Sequence, residues 1–235
     1  MSKKVKGTFV CPTYNCAGYI AETIDSIRKQ TIPDWELIVV DDGSTDTTEM
    51  LMNYYTKTDK RIKYIRFEEN KGPIAARNAG NTCAESPLIM VIDHDDLCSS
   101  KRLAITLAHF KKHPDTDIFH GAWYEVDVRR NPMSDRYKPM KITRTGYDAN
   151  KILFCHSTAA YPTEIALKYP YEDYVRPDGS NIAHKTDDLM ALDIWLKAGL
   201  KFRTTNNILC AVRRLPTGQM QQIRAAKGLP PSWRE

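Results

Sequence analysis

The sharpest chemical feature of the sequence is Asp93-His94-Asp95-Asp96, placed directly behind the apolar run Leu88–Ile92. Residues two apart in an extended segment project to one side. The Asp93 and Asp95 carboxylates can therefore face one point. Two carboxylates so placed repel unless a proton or a cation lies between them. A hard divalent ion, Mn²⁺ or Mg²⁺, shared between carboxylate and a substrate diphosphate resolves the conflict. His94 falls on the other side and reads as a local hydrogen-bonder. Such triplets are common as solvated acidic turns, and it is the setting that carries the metal reading.

Three more polar clusters follow apolar runs in the same way. Pro12-Thr13-Tyr14-Asn15 follows Gly7–Cys11. Asp41-Asp42-Gly43-Ser44 follows Trp35–Val40, and Asn70-Lys71-Gly72, leading to Arg77-Asn78, follows Ile62–Phe67. A carboxylate at Asp42 can accept a hydrogen bond from a base N–H, while Gly43-Ser44-Thr45 permits a turn and a helix cap. Tyr14 either stacks on a base or fills the sheet edge. Arg77 meets phosphate, orients a carboxylate, or is a plain surface arginine.

The elements that must position these groups alternate. The runs 7–11, 35–40, 62–67 and 88–92 read as strands. Between and after them, 18–30, 46–56, 73–83 and 101–112 read as helices, with Pro73 well placed in a first turn and Ser44, Thr45 and Asp46 as candidate caps. This order predicts an α/β fold, Rossmann-like, with a mostly parallel sheet and helices on both faces. Ligands of such sheets bind at the carboxyl ends of the strands, where all four polar clusters fall. The second half is less regular. Residues 117–128, 136–144 and 208–213 suggest strands, and 185–198 a helix ending at Gly199.

The 235 residues are 42% hydrophobic and 27% charged, with a formal net charge of +5. That is ordinary for a globular protein with a real core and too mild to indicate nucleic acid. Six scattered cysteines form no CxxC pair, which predicts reduced, mostly buried thiols. The amino terminus lacks a signal-peptide pattern and no apolar run is long enough to cross a bilayer; the expected location is cytoplasmic. The basic, proline-containing tail from Gln219 is a candidate for peripheral membrane contact or for a mobile terminus.

These motifs, together with Glu22-Thr23-Ile24-Asp25-Ser26-Ile27, Gln30-Thr31 and Ala76-Arg77-Asn78-Ala79-Gly80, resemble in order the opening of glycosyltransferase family 2. The resemblance implies a GT-A fold with a less regular acceptor-side C-terminal half. It implies an inverting enzyme with a nucleotide diphosphate-sugar donor, a UDP-sugar being favoured, and a hydroxyl acceptor on a glycan, a lipid-linked sugar or another molecule. By the same resemblance Pro12, Thr13, Tyr14 and Asp42 hold the donor nucleotide, Asp93 contacts its ribose or sugar, and Asp95 binds Mn²⁺ or Mg²⁺. Thr186-Asp187-Asp188-Leu189 before Ala198-Gly199 resembles the start of the acceptor-side helix and makes Asp188 the catalytic base. The sequence departs from the family there, with Asp187 in place of glutamate and Ile194 in place of arginine. Arg213 and Arg214 fall where basic groups meet the diphosphate, although Leu215 replaces the usual histidine. The implied organisation is one catalytic domain over 1–218, a donor half 1–112 and an acceptor half 113–218, then the tail 219–235.

Other classes fit less well. A sugar-nucleotide pyrophosphorylase needs a glycine-rich phosphate loop after the first strand, and a dinucleotide oxidoreductase needs GxGxxG; neither is present. A non-catalytic nucleotide-sugar-binding module of the same fold is distinguished only by its failure to release nucleotide.

Overall fold

The structure is a computed structural model that describes residues 4–133, 154–172 and 187–215, with the backbone alone at 187–190 and 193. The strands are β1 (Gly7–Thr13), β2 (Trp35–Asp41), β3 (Ile62–Arg66), β4 (Leu88–Val91), β5 (Leu97–Cys98), β6 (Ile118–Val126), β7 (Ala160–Pro162) and β8 (Phe202–Arg213). The helices are α1 (Ile20–Arg28), α2 (Thr48–Thr58), α3 (Pro73–Thr82), α4 (Arg102–Lys112), α5 (Thr163–Lys168) and α6 (Asp187–Lys197). All these strands join one sheet, in the order β3-β2-β1-β4-β7-β6-β8-β5.

β1 runs parallel to β2 and β4, β2 to β3, and β6 to β8. β7 is antiparallel to both β4 and β6, so β6 and β8 point the same way as β4. The carboxyl ends of β1–β4, β6 and β8 therefore share one edge of the sheet. The sequence-based expectation of a mostly parallel sheet holds, with the short β7 and β5 as antiparallel exceptions.

Alternation along the strands explains why both faces are covered. Phe9, Cys11, Leu37, Val39 and Met90 face one side, where Ile20, Ile24 and Ile27 of α1, Met52 of α2 and Leu103 of α4 cover them. Val10, Ile89 and Val91 face the other, under Ala166 of α5 and Ala191 and Trp195 of α6. Ile38 and Val40 meet Ala76 of α3. A Cβ on Gly80 would lie 2.5 Å from Val10 Cγ1, so the glycine lets α3 lie close against the strands.

Several boundaries differ from the sequence reading for identifiable reasons. α2 begins at Thr48 rather than at Asp46, because the Asp46 carboxylate stays outside the helix. One of its oxygens accepts from Thr48 N at 2.9 Å and the other from Ala17 N at 3.0 Å. β8 starts at Phe202 rather than Ile208; its polar first half pairs with β6 through register shifts at Gly121–Trp123. β5, β7 and α5 are too short to leave a periodic signal. The expected strand 136–144 and the tail 219–235 lie outside the described residues. Cys11, Cys16, Cys98, Cys155 and Cys210 are buried and Cys83 is exposed, all as free thiols.

Candidate active site at the carboxyl edge of the sheet

The loops that leave β1, β2, β3 and β4 bond to one another in a closed ring. Asn15 has a left-handed backbone, φ 47°. Its Oδ1 accepts from Thr45 N at 2.8 Å, and its own N–H donates to Ser44 Oγ at 2.9 Å. That ties the β1 loop to the β2 loop. Gly43 has φ +76°, and a Cβ there would stand 2.9 Å from the Glu69 carbonyl carbon, so the β3 loop lies directly against it. Asp42, 3% exposed, fixes this contact. Its carboxylate accepts from Lys71 N at 2.6 Å and Gly72 N at 2.8 Å. An ionised carboxylate has about four acceptor sites, so this cradle leaves acceptor capacity for a further donor. The β4 loop joins β1 where His94 Nδ1 lies 3.2 Å from Pro12 O, and the ring closes through Arg77 of α3, the helix that the β3 loop leads into, which donates to Asp93.

The remaining β1 residues frame the opening. Pro12 and Thr13 are buried at the end of the strand, with Thr13 paired to Asp41. Tyr14 is 43% exposed and stands beyond the edge. Asp41 is fully buried and turned inward, accepting from Ser44 N at 2.8 Å and from the Tyr64 hydroxyl.

The two outer carboxylates of the acidic triplet do not share one partner. Arg77, only 3% exposed, donates from a terminal nitrogen to Asp93 Oδ1 at 2.7 Å, and Asp93 N donates to Ser157 Oγ at 3.1 Å. Burial pushes the Asp93 carboxyl up, but the charges of Arg77 and His156 and the bonds from Arg77 and Ser157 outweigh it and bring it down to about 2. Arg77 is thus neither a plain surface arginine nor, here, a free phosphate ligand: it orients a carboxylate. Asp96 is buried and accepts from Arg213 N at 3.0 Å.

Asp95 is different. No side chain among the described residues hydrogen-bonds or ion-pairs with its carboxylate, which accepts from its own backbone N–H; burial raises it, Asp93 reinforces that shift, and His94, that N–H and Arg213 oppose it. A half-buried carboxylate that no side chain bonds suits a cation. No group of three or more potential ligand side chains occurs among the described residues, so the protein does not close a cage by itself. That donor set fits Mg²⁺ or Mn²⁺, which commonly take one or two carboxylates and complete their shells with water and substrate phosphate.

Other expected groups are placed as follows. Arg213, 4% exposed, donates to Glu22 at 2.6 Å and lies over the Tyr19 ring at 5.1 Å. Arg214 pairs with Glu125. Both charges are therefore answered within the protein. Asp188 lies in the first turn of α6; its side chain is outside the described set. Asn15, Ser157, Glu22 and Glu125 escape sequence reasoning. Asn15 sat in plain view in the first polar cluster; the other three act across chain separations too long for any local pattern.

The family model for Glycosyl transferase family 2 matches residues 8–167. The chain belongs to glycosyltransferase family 2. The family match contains the whole loop ring, from Thr13 to Asp96, and stops short of α6, Arg213 and Arg214. Among curated relatives, TuaG of Bacillus subtilis, named for glycosyl transfer in teichuronic acid biosynthesis, is 38% identical over 148 residues. The alignment covers 62% of this chain and 58% of TuaG, so the chain spans little more than half of that relative. Among solved structures, S. aureus TarS 1-349 in complex with UDP-GlcNAc superposes with a TM-score of 0.71 at 22% identity, over 92% of this chain and 60% of that one. The mannosyltransferase PcManGT of Pyrobaculum calidifontis, in complex with GDP-Man and Mn²⁺, gives 0.68 at 18% identity, over 98% and 67%. These likenesses establish the GT-A fold of this family member.

Proposed function

We propose that this chain transfers a sugar, with inversion, from a UDP-sugar to a hydroxyl of a growing cell-envelope polymer of the teichuronic or teichoic acid kind. The observation that carries the reading is the loop ring. It joins a buried carboxylate, Asp42, to a basic-paired one, Asp93, and to one that no side chain bonds, Asp95, at the edge where open α/β sheets bind ligands. Kinship with TuaG supports the polymer class, and the UDP-GlcNAc complex of TarS supports the uridine nucleotide.

In this reading Tyr14 and Asp42 receive the base, with Pro12 and Thr13 beneath them. Asp93, held by Arg77, meets the ribose or sugar. A divalent ion on Asp95 would neutralise charge growing on the departing diphosphate. Asp188 takes the proton of the attacking hydroxyl, which is too weak a nucleophile at neutral pH without a positioned base. Arg213 and Arg214 add to diphosphate stabilisation if Glu22 and Glu125 yield them. Residues 1–218 act as one catalytic domain, its acceptor half beginning after α4.

The test is a thermal-shift comparison of UDP, GDP and ADP, each with and without Mn²⁺. A ligand that prefers the folded state raises the melting temperature, by about 2.7 kcal/mol of stabilisation at a hundredfold excess over its Kd. UDP with Mn²⁺ should shift it most, and chelation should remove the difference. Asp95→Asn should keep the parent melting temperature and lose the manganese-dependent part. A chain that responds to none of the nucleotides ends this proposal.

A further inference from the structure

Two neighbouring side chains of α3 face different halves of the molecule. Arg77 holds Asp93 on the donor side. Asn78, the next residue, reaches the acceptor side. Its Nδ2 donates to Tyr171 O at 2.8 Å, and its Oδ1 accepts from Tyr171 N at 2.9 Å. One planar amide thus satisfies both backbone groups of a residue 93 positions away.

Tyr171 leads inward from that clamp. It is 6% exposed, and its hydroxyl lies 2.8 Å from His156 Nε2 and 2.9 Å from the Tyr161 hydroxyl. These three rings, with Phe154 and Phe202, surround Trp195 of α6 at centroid distances from 5.3 Å for Tyr161 to 6.4 Å for Phe202. Trp195 is 2% exposed, and Ala191 and Leu192, one turn earlier, are fully buried. Position 188 precedes position 195 by seven residues, about two turns, so it continues the same stripe. Whatever fixes the rotation of α6 about Trp195 also fixes where position 188 sits.

We propose that Asn78 is a positioning residue. It locks the Tyr171 cage, and through Trp195 the rotation of α6, so that the acceptor-side Asp188 stays in register with the donor-side Arg77–Asp93 pair. It touches no reacting atom. The proposal rests on the transferase reading above for its functional meaning, while its structural content is testable alone. The demand on residue 78 is specific: one side chain that both donates and accepts in a fixed plane. Asparagine does this. A protonated aspartate does it as well, and an ionised one cannot donate.

The experiment compares the wild type with Asn78→Ala and Asn78→Asp from pH 8 down to pH 5. It follows amide hydrogen exchange in residues 187–197, UDP release from a panel of UDP-sugars, and the thermal shift with UDP and Mn²⁺. In Asn78→Ala, exchange in 187–197 should quicken and UDP release fall about 10–100-fold, while the nucleotide shift stays at its wild-type size. Asn78→Asp should behave like the alanine variant at pH 8. It should recover towards the wild type as the carboxyl protonates, each value taken as a ratio to the wild type at the same pH so that pH effects common to both proteins cancel. Recovery on protonation is a response that mere loss of packing would not give. If Asn78→Ala does not fold, the Asn78→Asp series decides. Wild-type exchange in 187–197 for the folded alanine variant, or a ratio for Asn78→Asp that is flat with pH, overturns the proposal. A wild type that releases no UDP while the exchange results hold overturns the transferase reading and leaves the clamp standing.

Discussion

A buried imidazole without a hydrogen bond opposes its own protonation, and His120 is such a group. It is fully buried, its ring lies 5.1 Å from that of Phe154, and neither nitrogen has a hydrogen-bond partner among the described residues. Burial pulls it down to about 4. Because the unfolded chain titrates near 6.5, it binds more protons than the folded one between about 4 and 6.5. The stabilisation is therefore complete above that window and lost as pH falls through it, by ~3 kcal/mol at most. His109, also lowered to about 4 by burial, then His113 and Arg203, acts in the same direction. His120→Leu should accordingly keep or raise the melting temperature at pH 7.5, since removing an unsatisfied polar group for an apolar one is neutral or favourable. It should also flatten the fall between pH 6.5 and 4.5; a series of melts at those pH values checks it, and an unchanged slope would mean that the imidazole is not held neutral. The candidate base calls for the opposite kind of readout. Asp188→Asn should depress sugar transfer by about 100-fold or more and leave the UDP–Mn²⁺ thermal shift intact; wild-type turnover removes Asp188 from the mechanism. Residue types were readable in the sequence and their partners were not. Arg77 fitted three roles until the geometry put it against Asp93.

Among the elements, the parallel core was legible because each strand there is buried on both faces and reads as an apolar run closed by polar residues. Phe9-Val10-Cys11 and Leu37-Ile38-Val39-Val40 are of this kind. The short and the polar strands carried no such signal. β5 has two residues and β7 three, and the first half of β8 is polar and partly exposed. They form because neighbouring strands offer unpaired backbone groups, a property of the assembled sheet rather than of their own sequence. The close approach of α3 is equally invisible locally, since Gly80 looks like any small helical residue until Val10 stands opposite. Gly80→Val should push α3 off the strands and, as overpacking does, cost about 1–3 kcal/mol. Because α3 carries Arg77, the same change should weaken the UDP–Mn²⁺ shift at temperatures where the protein is still folded. Chemical denaturation and the nucleotide shift measure the two effects separately. A destabilised variant with a full nucleotide shift would show that the Arg77–Asp93 pair does not depend on how closely the helix is seated.

For the molecule as a whole, the first and second halves of the sequence are not separate bodies. β4 of the first half pairs with β7 of the second, and β8 returns to pair with β5. The apolar cluster over one face combines Phe9, Leu37 and Met90 with Phe119, Trp123 and Leu209. The cluster over the other combines Val10, Ile89 and Val91 with Tyr161, Trp195 and Leu200. A chain ending at Lys112 would keep the loop ring's residues but expose Val10, Ile89 and Val91 and leave β4 with an open edge. It would also lose Ser157 from behind Asp93 and the Arg213 backbone from Asp96. The first-half motifs are therefore enough to recognise the family and not enough to build the site. The full chain should unfold in one cooperative transition, with calorimetric and van't Hoff enthalpies in agreement. The chain ending at Lys112 should show neither a cooperative transition nor a response to UDP with Mn²⁺. A short form that melts cooperatively and binds the nucleotide would mean that the first half folds by itself, and that the second half was added to a finished site instead of completing it.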